Sequence, residues 1–93
     1  MVVGTLRLDL RIGGSASLKE RRRVVKSLKD RIRARFNVSV ADVGGQNLWQ
    51  SASLGIAVVA GDRAFADEVL SKVFDLVSSD ARVDIVAREM RID

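Results

Sequence analysis

Residues 17–37, SLKERRRVVKSLKDRIRARFN, carry nine of the sixteen Lys and Arg residues in this 93-residue chain and only two acidic residues. Ser17 precedes Glu20 by three residues, which is the spacing of a capping box, so we expect a helix to begin at Ser17. Apolar residues recur at helical spacing and should form a stripe that faces the core: Leu18, Val25, Leu28, Ile32 and Phe36. Val24 lies at the margin of this stripe. The stretch therefore predicts an amphipathic helix.

Basic residues form a second band beside this apolar stripe. Five of them, which we call the cationic stripe, line up at spacings that make neighbours on a helix surface: Lys19, Arg22, Lys26, Lys29 and Arg33. Like charges at these spacings repel by about a few tenths of a kcal/mol per pair, and only Asp30 is placed to relieve Lys26 and Arg33. This repulsion indicates that something outside the monomer neutralises the stripe.

The net charge is unevenly divided along the chain. Residues 1–36 carry a formal charge of +8 and residues 37–93 carry −4, within a total of +4. A concentrated basic patch on an otherwise slightly acidic protein favours a directed electrostatic contact, with nucleic acid as the leading partner. The alternative is a solvated helix face without a partner.

Composition excludes several kinds of chemistry. The chain has no Cys and no His, so disulfides, thiolate catalysis and the commonest nitrogen ligands of metals are ruled out, and we expect no metal and no cofactor. Its length fits one domain, residues 1–93. The longest apolar run falls far short of the roughly 18 residues that a membrane span needs, and the first residues alternate like a strand. We therefore expect a cytoplasmic protein with no membrane partner.

The first half of the chain contains two predicted strands around the basic helix. Residues 2–12 alternate apolar and charged, which predicts a strand with Arg7, Asp9 and Arg11 on the face away from the core. Residues 37–43 predict a second strand that follows the helix almost directly. Asn37 can adopt the left-handed conformation that ends a helix.

The second half predicts strand, helix and strand. Residues 52–60 are apolar at nearly every position, which is typical of a strand that is covered on both faces or lies in the middle of a sheet. Asp62 should cap a helix that runs to about Val77, with a broad apolar face: Phe65, Val69, Leu70, Val73, Leu76 and Val77. In a last strand, residues 82–92, the alternation changes phase near Val86, which indicates a bulge or an edge position.

The order strand, helix, strand, strand, helix, strand predicts an α+β fold of the ferredoxin-like, split βαβ kind. We expect a four-stranded antiparallel sheet with the first and third strands in the centre and both helices on one face. The other face would stay open. A half-apolar open face either pairs with a second copy or binds a ligand, so a homodimer is a possible assembly.

The only Trp lies in the glycine-flanked connection between the second and third strands. Trp49, with Leu48 and Gln50 beside it, could contact a partner by stacking on an unpaired base or anchoring a protein contact. Alternatively, Leu48 and Trp49 fold back and cap the sheet edge, which we favour for a monomer because lone exposed Trp residues are uncommon. The predicted central strands carry no aromatic residue, so contact with RNA should involve mainly its backbone.

Catalysis is the weakest interpretation. Acylphosphatases share this topology and hold a phosphoryl group with a glycine-rich turn and an Arg, and Gly13, Gly14 and Arg11 invite that comparison. The phosphate-loop pattern is absent, and the sequence offers no carboxylate pair or nucleophile and base at a persuasive spacing. We therefore expect a noncatalytic protein.

Two stretches, SLKERRRVVKSLKDRIRARFNVSVADV (17–43) and QNLWQSASLGIAVV (46–59), resemble the YlxP family of small bacterial domains. The resemblance covers essentially the whole chain and implies a ferredoxin-like fold. Family members are often encoded beside translation-initiation and ribosome-maturation genes, which implies a ribosomal RNA or protein partner. The resemblance supplies no catalytic residue.

The leading hypothesis is a noncatalytic accessory protein that binds RNA or the ribosome. The cationic stripe would meet phosphates, and Arg7 and Arg11 would extend that patch. The alternative is a homodimeric interaction module that pairs through its open sheet face and has no role with nucleic acid.

Overall fold

A computed structural model of the chain describes residues 1–45 and 48–93. Its elements follow in the predicted order: β1 (Val2–Ile12), α1 (Leu18–Arg35), β2 (Ser39–Gly44), β3 (Ser51–Ala60), α2 (Arg63–Ser78) and β4 (Val83–Ile92). The strands form one antiparallel sheet in the order β2-β3-β1-β4. The predicted ferredoxin-like arrangement, with β1 and β3 in the centre, is confirmed.

The core lies between one face of the sheet and the two helices. Alternate residues of β1, from Leu6 to Ile12, are buried there, as are Leu28 and Ile32 of α1 and Leu70 of α2. Helix α1 packs on β2 and β3, and α2 packs on β1, β3 and β4. We call the other side of the sheet the open face, because no described element covers it.

The capping predicted at the start of α1 is confirmed. The Ser17 hydroxyl accepts a hydrogen bond from the Glu20 amide at 3.1 Å, and the Glu20 carboxylate accepts one from the Ala16 amide at 2.7 Å. The predicted left-handed end at Asn37 is wrong. Phe36 already has extended backbone (φ −134°), and no described residue other than glycine has a positive φ. The chain passes straight into β2, so its direction needs no left-handed residue.

Apolar residues near the helix ends are less buried than predicted. Phe65 is 53% exposed, because it lies in the first turn of α2 while Ala66 takes the position against the sheet. Leu18 and Phe36, at the two ends of α1, are only partly buried. The apolar stripe of a helix therefore contacts the sheet mainly through its middle turns.

The phase change predicted in the last strand is confirmed as a bulge. The register of β4 against β1 shifts between Asp9 and Leu10, which leaves Val86 as the extra residue. Val86 is exposed beside Arg11 on the open face. The bulge therefore adds an apolar side chain to that face.

Candidate nucleic-acid interface

The cationic stripe lies on the side of α1 that faces the outer edge of β2. The Arg33 guanidinium donates to the Val40 carbonyl of β2 at 3.0 Å. Arg22, Lys26, Lys29 and Arg33 line a shallow groove there, together with Asp42 of β2. Four of the five predicted stripe residues thus share one concave surface, and Lys19 continues it one turn toward the start of the helix.

Most of the positive charge in this groove is uncompensated. Lys26 pairs with Asp30 at 2.6 Å, and the hydrogen bond from Lys26 lowers the pKa of Asp30, with the charges of Arg33 and Lys29 contributing. Lys19, Arg22 and Lys29 form no ion pair with any residue in the described ranges. The stripe therefore keeps three cations free for an external anion.

Arg21 was missed as a structural residue. It is 1% exposed, and its guanidinium forms a two-pronged pair with the Asp42 carboxylate at 2.9 and 3.2 Å. It also donates to the carbonyls of Ser51 at 2.7 Å and Gly44 at 3.1 Å. The sequence pattern could have identified this pair. Helical spacing places Arg21 on the same side of α1 as the buried apolar residues, and strand alternation places Asp42 on the same side of β2 as the buried Val40.

Arg21 joins the end of β2 to the start of β3 and so fixes both ends of the connection that carries Trp49. The prediction that Leu48 and Trp49 fold back over the sheet edge is wrong, because they are 59% and 53% exposed. Instead, both side chains line an open pocket in which the other lining residues are Leu10, Arg11, Gln50, Ser51 and Val86.

Arg7 and Arg11 lie on the open face, on the opposite side of the sheet from α1. Arg7 pairs with Asp9 at 3.2 Å, and Arg11 pairs with Asp84 at 3.3 Å. A hydrogen bond from the Ser53 hydroxyl, at 2.7 Å, lowers the pKa of Asp9, and Arg7 adds to this effect. The expectation that Arg7 and Arg11 extend the cationic stripe is therefore corrected: the sheet separates them from it.

The glycine pair that suggested a phosphate loop forms the turn between β1 and α1. Gly14 has a φ of +72°, which glycine adopts without strain, and the Gly13 amide donates to the Arg82 carbonyl at 3.0 Å. In the described ranges, no three His, Cys, Asp or Glu side chains come together in a way that could hold a metal ion. Neither helix among the described residues is long and apolar enough to cross a bilayer.

The fold and sequence were compared with known proteins. Solved structures with this fold include two de novo designed proteins, Foldit4 and LFR1 1, the second described as having a ferredoxin fold. Both give a TM-score of 0.53 at 15% identity. The match to Foldit4 covers 99% of this chain and 94% of Foldit4, and the match to LFR1 1 covers 98% of this chain and 86% of LFR1 1. An EAL/GGDEF domain protein from M. capsulatus also has a TM-score of 0.53, at 18% identity, over 96% of this chain and 62% of its own. These similarities show the fold alone.

Sequence comparison identifies relatives. The uncharacterized protein YlxP of Bacillus subtilis (strain 168) is 35% identical over 78 residues, which cover 84% of this chain and 85% of that protein. A family model described as a protein of unknown function (DUF503) matches residues 3–90. The chain therefore belongs to this family, the YlxP family.

Proposed function

We propose that the protein is a noncatalytic accessory protein that binds the phosphate backbone of RNA, in the ribosome or during its assembly, through the cationic stripe. The observation that carries the proposal is the set of three exposed or half-exposed cations, Lys19, Arg22 and Lys29, that have no ion-pair partner in the described part of the chain. The ribosomal setting rests on the gene neighbourhood that the family resemblance implies.

The second helix provides an internal comparison. Its one Lys, Lys72, pairs with Glu68 at 3.0 Å across one turn, and Arg63 near its start donates to the Ile92 carbonyl. Its outer face therefore carries both signs of charge, two cations and three carboxylates, as is usual for a solvated helix. The uncompensated charge of α1 is a property of that helix and not of every exposed surface of this protein.

The stripe suits a backbone contact. From Lys19 to Arg33 the helix rises about 21 Å, a length along which a nucleic-acid duplex carries several phosphates. The central strands β1 and β3 carry no aromatic side chain on which bases could stack. We therefore expect binding that depends strongly on salt and weakly on base sequence.

The proposal is tested by replacing Lys19, Arg22 and Lys29 together with Gln. A matched control replaces Arg63, Lys72 and Arg88 with Gln, which changes the net charge by the same amount away from the stripe. Fluorescence anisotropy with a labelled RNA duplex gives the affinity of each protein over a series of salt concentrations.

The stripe variant should bind more weakly, and the slope of log K against log salt should fall by about 2 to 3, close to one unit for each lost phosphate contact. The control should keep most of the wild-type slope. Equal losses in the two variants, or an unchanged affinity in the stripe variant, would show that the stripe is not the binding surface. Sedimentation with purified ribosomal subunits then tests the ribosomal setting with the same pair of variants.

A further inference from the structure

We propose that the open face of the sheet is the interface of a two-fold symmetric homodimer. This inference goes beyond the contact with RNA, because it concerns the opposite side of the molecule from the cationic stripe. Its occupant is a second copy of this chain.

The exposed apolar side chains are concentrated on this face. Among the described residues, all the large exposed hydrophobic side chains except Met1 and Phe65 lie on the open face or beside one end of it: Val3, Val43, Val59, Val86, Leu48 and Trp49. Val59 is 65% exposed although it belongs to a central strand. A clustered apolar surface of this kind is typical of a contact site.

The charges of the face are mostly paired. It carries three ion pairs, Arg7–Asp9, Arg11–Asp84 and Arg91–Glu89, at 3.2, 3.3 and 2.8 Å. Asp93 adds one carboxylate, because its backbone pairs with Val3 and places its side chain on the same face. The face therefore has no excess of positive charge, whereas the whole chain carries +4, and it has no general attraction for a polyanion. Because the charges are mostly paired within each copy, two such faces can meet with little net repulsion, as a self-complementary interface requires.

The distribution of these residues selects one symmetry. The β2–β3 half of the face is uncharged, and the β1–β4 half holds all three ion pairs. If the two-fold axis lies in the interface and runs across the strands, the β2–β3 half of one copy packs on the β2–β3 half of the other, and the β1–β4 halves do the same. The end of the face that carries Trp49 then meets the partner's end that carries Val59. An axis parallel to the strands would bury the ion pairs against apolar side chains, which costs desolvation energy.

The face is large enough for a stable contact. The four strands are 11, 6, 10 and 10 residues long; at about 3.3 Å per residue and about 4.8 Å between strands, they give roughly 600 Å² of flat area per copy. Two such faces bury about 1,200 Å², which is at the lower limit for specific interfaces. The dimer should therefore dissociate on dilution.

The test uses two matched substitutions of exposed apolar residues by Lys. Val59→Lys lies on the open face, and Phe65→Lys lies on α2, away from it. Size-exclusion chromatography with light scattering should show that the wild type and Phe65→Lys pass from monomer to dimer as concentration rises, while Val59→Lys stays monomeric. Circular dichroism checks that both variants are folded.

Trp49, the only Trp, gives a second readout at the same face. Its emission should shift to shorter wavelength as concentration rises in the wild type and in Phe65→Lys, and should not shift in Val59→Lys. A wild type that remains monomeric at every concentration, or dimers that persist in Val59→Lys, would overturn the proposal. Neither result bears on binding of RNA by the cationic stripe, so the two proposals fail separately.

Discussion

Replacing Arg21 with Met should destabilise the protein more than any exposed Arg replacement on the same helix. Met keeps much of the aliphatic volume but removes the guanidinium, so the Asp42 carboxylate loses its ion pair with Arg21 and the Gly44 and Ser51 carbonyls lose the hydrogen bonds that Arg21 donates. Removing one member of a buried ion pair costs about 3 to 5 kcal/mol. The Asp42 side chain is 19% exposed, so water can rehydrate part of it, and we expect about 3 kcal/mol.

Urea denaturation followed by far-ultraviolet circular dichroism measures this loss. A domain of this size has a stability of about 5 to 14 kcal/mol, so the variant should remain folded in buffer and unfold at a clearly lower urea concentration. Arg23→Met is the matched control. Arg23 is exposed and forms no ion pair with a described residue, so its replacement should change stability by less than about 0.5 kcal/mol.

A second substitution separates two contributions to the lost stability: the cost of keeping the Asp42 carboxylate partly buried without Arg21, and the loss of the contacts that Arg21 makes. Adding Asp42→Val to Arg21→Met removes the carboxylate that has lost its ion pair with Arg21 and places a residue that favours strands in β2, so the double variant should recover part of the lost stability. A loss below about 1 kcal/mol for Arg21→Met alone would refute the view that Arg21 is a buried structural cation.

Two further substitutions test other parts of the structure. Asp80 accepts hydrogen bonds from Arg82 and pairs with Arg31, and the contact with Arg82 is the main cause that lowers the pKa of Asp80 from 3.8 to about 2. Because the pKa of Asp80 is lower in the folded state than in the unfolded state, its ionised form stabilises the fold above pH 3.8, and this stability is lost as pH falls toward 2. Asp80→Asn should therefore cost about 2 kcal/mol at pH 7 and little at pH 2. Urea denaturation at each pH measures the difference. Equal losses at both pH values would contradict this linkage. At Gly4, an added Cβ would lie 2.9 Å from a methyl of the buried Leu70. Gly4→Ala should therefore lower the urea midpoint by the equivalent of about 1 kcal/mol, and an unchanged midpoint would show that α2 can move to accommodate the methyl.

Features set by local sequence were predictable. The alternation from Leu6 to Ile12 identified the buried face of β1, and the spacing of Ser17 and Glu20 located the start of α1. The phase change near Val86 located the bulge in β4. Each of these depends on the period of a helix or strand, or on a hydrogen bond between residues a few positions apart, so the order of elements and the fold followed from them.

The surfaces depended on contacts between residues distant in the sequence. A periodic pattern shows which side of a helix is buried, but only the packing of α1 on β2 showed that Arg21 occupies that side with Asp42 as its partner. The same packing satisfies the carbonyls beside the connection and leaves Trp49 exposed.

The cationic stripe of residues 17–37 was determined by the sequence alone, because helical spacing by itself aligns its five side chains. Which charges join it was decided by the tertiary structure. Arg7 and Arg11 are as basic as the stripe residues, but the sheet places them on its other face, each beside a carboxylate. Charge is a property of each residue, whereas its neutralisation depends on which distant strand and side chain the fold brings next to it.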